Sequence, residues 1–167
     1  LAIARVIGET ATLLIICGHN RRLAECLRAL PHDAPMFVEE FPSEIPRYMQ
    51  LSDYLIGKAG PGSISEAVAM RLPVIVECNG RTLPQERYNA QWISEGKLGI
   101  VLSDFSKIDR AVEQMLEPQN FAELRKNAGS YRNRALYEIP EFLEQILECR
   151  GAGHGSRAPV GRKPAVE

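Results

Sequence analysis

Several things are scarce or lacking in this sequence, and each absence excludes a class of protein. Neither sign of charge is in excess: 20 Lys and Arg stand against 21 Asp and Glu, for a net charge of −1. A face built to neutralise a nucleic-acid backbone is therefore not expected, and no nucleic-acid partner is assigned. No apolar run approaches the roughly 18 residues needed to span a bilayer. The four cysteines, Cys17, Cys26, Cys78 and Cys149, are scattered, with no C-x-x-C and no histidine pair nearby. That argues against a structural zinc site and a secreted disulfide framework, and for a reducing compartment. An initiator Met and a signal-peptide layout are also lacking, so the apolar opening at Leu1 reads as the start of a fragment.

What remains is an ordinary globular composition, 45% hydrophobic and 25% charged, over 167 residues. One domain is expected, and at this length folding buries roughly 70% of the unfolded surface. Short apolar runs alternate with helical stretches. Ile3, Val6 and Ile7 predict a helix over 1–9, and TLLIIC over 12–17 predicts a strand buried on both faces. Asn20 is a candidate cap for a helix over 21–30 that Pro31 stops. A strand over 36–38 follows, then a short helix opened by Ser43, Glu44 and Pro46, and a strand over 53–56. The turn GKAGPG leads to a helix over 63–71, the strand PVIV over 73–76, the loop CNGRTLP and a helix over 85–95 ended by Gly96. A last strand covers 99–102, and Pro118 and Pro140 punctuate the helices beyond it.

This alternation predicts βαβ crossovers: an α/β, Rossmann-like parallel sheet with helices on both faces. Such a unit should open on a strand, so a leading strand and its loop are expected upstream of the first helix. The apolar surface of 1–7 and an unpaired sheet edge are expected to favour self-association. A domain over 1–149 and a flexible tail over 150–167 are expected, the tail being rich in Gly, Pro and Arg without an apolar period.

Ligands of open parallel sheets bind at the carboxyl ends of the strands. The loops there are GHN, EEFPS, GKAGPGS and CNGRTLPQ. In KAGPGSISEA, Gly60 and Gly62 permit close backbone approach, and the helix start attracts anions such as phosphate. Neither a Walker loop nor a dinucleotide fingerprint is present. Ser63 and Glu66 have the spacing of a capping box; the other reading gives Glu66 the hydroxyls of a ribose. Gln85 and Asn89 share a helix face that suits sugar hydroxyls, or is simply a polar surface. His19 could touch a phosphate or be merely solvated. No nucleophile–base pair and no D-x-D metal motif is visible, so no residue is assigned as catalytic and no metal is expected.

Three segments, IICGHNRRL, EFPSEIPRYMQLSDYLIGKAGPGSISEAVAMRLPVIV and PQERYNAQWI, resemble the C-terminal donor-binding domain of GT-B glycosyltransferases of family 28. The similarity is to monogalactosyldiacylglycerol synthases and to the lipid-linked N-acetylglucosaminyltransferase of peptidoglycan assembly. It covers about residues 1–147. The resemblance implies that Gly60, Gly62 and Ser63 contact the donor diphosphate and that Glu66 takes the ribose. It places Gln85, Glu86 and Asn89 at the transferred sugar, Phe41 and Pro42 at the uracil ring, and Lys58 beside the nucleotide pocket. Pro42 has no N–H, so base recognition there must differ in detail.

The expected function is that of an inverting, metal-independent, cofactor-free UDP-sugar hexosyltransferase. Its acceptor is a lipid such as diacylglycerol, and the general base lies on an acceptor domain outside this sequence. The chain alone is then inactive, and cytoplasmic or peripheral at a membrane. The alternatives are a donor-binding subunit of a split lipid-linked glycosyltransferase, and a sugar-nucleotide epimerase, for which no acid–base residues are found.

Overall fold

The computed structural model describes residues 2–32 and 34–151. Those up to Tyr131 form one compact unit and those from Arg132 onward a second. The first unit opens with helix α1 (Ala2–Ile7) and a single 3-10 turn (Gly8–Thr10). There follow β1 (Leu13–Ile16), α2 (Arg21–Ala29), β2 (Met36–Glu39), α3 (Ile45–Gln50), β3 (Leu55–Lys58) and α4 (Pro61–Ala69). Then come β4 (Val74–Glu77), α5 (Pro84–Glu95), β5 (Gly99–Leu102), a 3-10 turn (Phe105–Lys107), α6 (Ile108–Leu116) and α7 (Pro118–Ser130).

All strand pairs are parallel, which fixes the α/β class. They form two sheets rather than one: β1 pairs with β2, while β3, β4 and β5 pair in that order. β4 is the strand buried on both faces, with Val74, Ile75 and Val76 all at 0% exposure. The period of a strand splits them. Val74 and Val76 pack with Met49, Ile64, Val68, Ile93 and Leu98 under α4 and α5. Ile75 points the other way, into a cluster with Ile7, Val112, Met115 and Leu124. Helices therefore cover both faces, as expected.

The expectation of a doubly buried strand over 12–17 is corrected. β1 is only half-buried and Ile16 is exposed, because β1 has a ladder on one side alone. The apolar face of α1 is also not left open: Ala4 and Ile7 are buried in the cluster that α6 anchors. Asn20 caps α2 as expected, its Oδ1 accepting from Leu23 N at 3.1 Å.

α4 and α5 end alike. In each, a residue with positive φ (Arg71 at 62°, Lys97 at 47°) follows the helix. The next amide turns back to the helix, Leu72 N to Ala67 O and Leu98 N to Ile93 O, both at 2.9 Å. This is a Schellman ending, which satisfies orphan carbonyls and buries the leucine after it.

In the second unit α8 (Ala135–Gly151) carries Pro140 in its interior, whereas a break was expected there. The helix continues because proline removes one intrahelical bond among many. No described helix is long and apolar enough to cross a membrane. Most of the tail expected over 150–167 lies outside the described residues.

Candidate functional site

The loops at the carboxyl ends of the strands are short, and sequence dictates their shapes. β3 runs through Gly57 and Lys58, which the glycine-rich pattern placed in a turn. Only Ala59 and Gly60 then separate the strand from α4. Pro61 is the first helical residue, a position that suits its fixed φ and missing N–H. The N-cap is Gly60, with extended backbone and no side-chain cap.

That start removes the capping box. Ser63 lies in the first turn and Glu66 in the second, so neither can perform the reciprocal capping that their spacing suggested. The exposed Glu66 side chain makes no hydrogen bond or ion pair among the described residues. At the open end of α4 the amides of Gly62 and Ser63 are among the first-turn donors that have no intrahelical acceptor. Lys58 stands at the end of β3, exposed and without an ion pair among the described residues. Glu77, its register partner on β4, is already committed, its Oε1 accepting from Phe105 N at 2.9 Å. An uncapped helix start with a cation two residues before its N-cap offers the charge and the donors that suit an anion.

α5 begins at the end of the loop after β4, with Pro84, Gln85 and Glu86 in its first turn. Gln85 is exposed and Glu86 half-buried. Asn89, one turn on, donates from Nδ2 to Ala59 O at 2.8 Å. It thereby ties α5 to the loop between β3 and α4, a structural task that the sequence did not reveal. Arg87, which sequence reasoning missed, donates to Thr82 O and Gly80 O, both at 3.1 Å, and holds the loop that leads into α5.

The ends of β1 and β2 also come together. His19 and Phe41 stack with ring centroids 4.3 Å apart and planes 15° from parallel. Gly18, at φ 62°, turns the chain so that His19 can do this. Glu40 anchors the same corner, its carboxylate 3.2 Å from Arg21 and 3.4 Å from Arg28. Phe41 is 67% exposed and so presents an aromatic surface at the strand ends. Pro42 does not share it; it lines an open groove of about 470 Å³ with Phe37, Tyr48 and Leu51. The residues named from the sequence thus fall into two groups. Gly60, Gly62, Ser63, Glu66, Lys58, Gln85, Glu86 and Asn89 gather around the starts of α4 and α5. Phe41 and His19 gather at the β1–β2 corner, and among the described residues no side-chain hydrogen bond or ring contact joins the two groups.

Beyond β5, Asp104 caps the 3-10 turn by accepting from Ser106 N at 2.6 Å. This bond holds its carboxyl below the usual carboxylate range. Among the described residues, no His, Cys, Asp and Glu cluster is arranged to hold a metal ion.

The family described as Glycosyltransferase family 28 C-terminal domain matches residues 2–142. The chloroplastic monogalactosyldiacylglycerol synthase of Spinacia oleracea is 32% identical over 145 residues, which cover 84% of this chain and 27% of that protein. Monogalactosyldiacylglycerol synthase 2 of Arabidopsis thaliana is 28% identical over 143 residues, covering 83% and 30%. A probable monogalactosyldiacylglycerol synthase of Nicotiana tabacum is 34% identical over 142 residues, covering 83% and 26%. The chain spans under a third of the length of these relatives.

Proposed function

The chain belongs to the glycosyltransferase family 28 C-terminal domain family, and from that premise we propose that it binds a UDP-sugar for transfer of the sugar to a lipid acceptor. The observation that carries the reading is the uncapped start of α4, with the first-turn amides of Gly62 and Ser63 and, two residues before the N-cap, Lys58, which has no ion pair among the described residues. The diphosphate lies there. Glu66, freed from any capping duty, accepts the ribose hydroxyls, and Gln85, Glu86 and Asn89 border the sugar. The exposed face of Phe41 takes the base.

In the transfer, an acceptor hydroxyl oxygen bonds to the anomeric carbon as the bond from that carbon to the diphosphate oxygen breaks, inverting the centre. The hydroxyl proton goes to a base, for which no residue of this chain is assigned. The electron pair goes to the departing UDP. The helix dipole, the two amides and Lys58 stabilise the charge that develops there. These groups act without a divalent ion. Galactose as the sugar and diacylglycerol as the acceptor are the choices that the relatives' names support. A peripheral position at a membrane follows from such an acceptor.

Calorimetric titration with UDP, UMP and uridine in the presence of a chelator tests this. UDP is expected to bind at least about ten-fold tighter than UMP, the second phosphate gaining charge-assisted bonds. Equal affinities for UDP and uridine, or binding that needs a divalent ion, would overturn the reading.

A further inference from the structure

A second groove lies away from the strand ends that hold the donor loops. It is an open groove of about 660 Å³ beside α7. Two rows of that helix form one wall: Phe121, Arg125 and Gly129, and Ala122, Lys126 and Ser130. Arg71 forms the other. It follows α4 and precedes β4, so the groove lies toward the amino ends of the strands.

Two observations bear on Arg71, the first of which it shares with Lys97. The first is its backbone. At φ 62° it occupies the left-handed position of the Schellman ending, where glycine is the usual residue and a side chain is strained. A strained residue that persists invites a functional explanation. The second is its charge. Lys97 occupies the equivalent position after α5 and also reaches α7, where it pairs with Glu123 at 3.1 Å. Arg71 reaches the same helix; a Cβ at Gly129 would sit 3.6 Å from its Cδ. It meets no carboxylate there. Instead Lys126, likewise unpaired among the described residues, and Arg125 face the same groove. Among the described residues the one ion pair these three cations make is that of Arg125 with Asp53, at 3.2 Å, from outside the groove's lining. Three cations against one carboxylate leave room for two negative charges.

We propose that the groove formed by Arg71, Arg125, Lys126 and Ser130 is a binding site for a phosphate monoester, separate from the donor site. A dianion matches the surplus charge, which a single carboxylate does not. The guanidinium of Arg71 offers a planar fork to phosphate oxygens. Phe121, whose ring lies 5.5 Å from the Arg125 guanidinium, supplies an apolar floor for the ester's organic part. A soluble ester and the headgroup of a lipid present the same chemistry.

The test uses the full chain and two probes: glycerol 3-phosphate, titrated calorimetrically, and phosphatidylcholine vesicles doped with phosphatidic acid, followed by flotation. Saturable binding of glycerol 3-phosphate that acetate does not displace is expected if the ligand is free. Binding to the doped vesicles alone assigns the site to a membrane headgroup. In either case Arg71→Gly should weaken binding about ten-fold or more. It should not lower the Tm, because glycine suits the left-handed position. Lys126→Gln, which leaves the end of α4 untouched, should weaken binding as well. UDP affinity should be the same in both variants as in the wild type, which separates this site from the donor reading. The proposal is overturned if neither probe binds, or if both variants bind as tightly as the wild type.

Discussion

Replacing Glu66 by Gln separates nucleotide recognition from helix stability more cleanly than any other change in the site. In the structure the Glu66 carboxylate is exposed and has no partner among the described residues, in the second turn of α4, past the reach of the helix-terminal dipole. Glu and Gln have similar helix propensities, so the Tm should stay within error of the wild type. If the carboxylate accepts the ribose hydroxyls, the variant loses charge-assisted bonds worth about 1.5–3 kcal/mol. That corresponds to UDP affinity lower by roughly ten- to a hundred-fold. Titration calorimetry with UDP and with its 2′,3′-dideoxyribose analogue reads the effect directly. The analogue should bind wild type and variant almost equally, since it lacks the groups at issue. The reasoning is refuted if Glu66→Gln retains full UDP affinity, or if the variant still discriminates between UDP and the analogue as strongly as the wild type.

Other changes test the scaffold around the site. Asn89→Ala removes the bond to Ala59 O, whose residue is 1% exposed. It should cost about 1–3 kcal/mol in denaturant unfolding, and unchanged stability would show the tie to be idle. Gly99→Ala would drive a Cβ against the Val74 backbone, 2.8 Å from its N. It should destabilise by more than the usual ~1–3 kcal/mol of overpacking, because backbone cannot swing aside; a normal Tm refutes this. Asp104 titrates below its ordinary range because it accepts the Ser106 amide. Its contribution is therefore present at neutral pH and lost as pH falls through the ordinary carboxylate range to the depressed value. The Tm difference between wild type and Asp104→Asn should close on acidification, and a difference constant with pH contradicts the assignment.

The strands were legible because each is a short apolar run between turn residues, and β5 matches its expected bounds. The errors gather where two local signals compete. Around residues 57–66 the glycines suggested a long turn and the S-x-x-E spacing a cap, yet Pro61 marks the true start of α4. The residue set of the site was readable as types at loop positions. Its internal bonds were not. Asn89 to Ala59 and His19 to Phe41 join segments far apart in sequence, and only the pairing of neighbouring strands brings them together. Arg71 carried no signal at all, since nothing local distinguishes an arginine after a helix from any other exposed cation.

The division of the strands into two sheets bears on how the molecule opens. Leu13 and Cys17 donate across to the β2 side, so the alternation of a strand turns the amides of Leu14 and Ile16 the other way. Leu55 donates to Pro73 O, which likewise turns the amides of Ile56 and Lys58 away from β4. In deuterated water these four hydrogens need no rupture of a ladder before they are replaced. Those of β4, flanked on both sides and sealed by both cores, wait for cooperative unfolding. Protection should thus be graded along the order of strands, with a slow block at β4 and two permeable seams at β1 and β3.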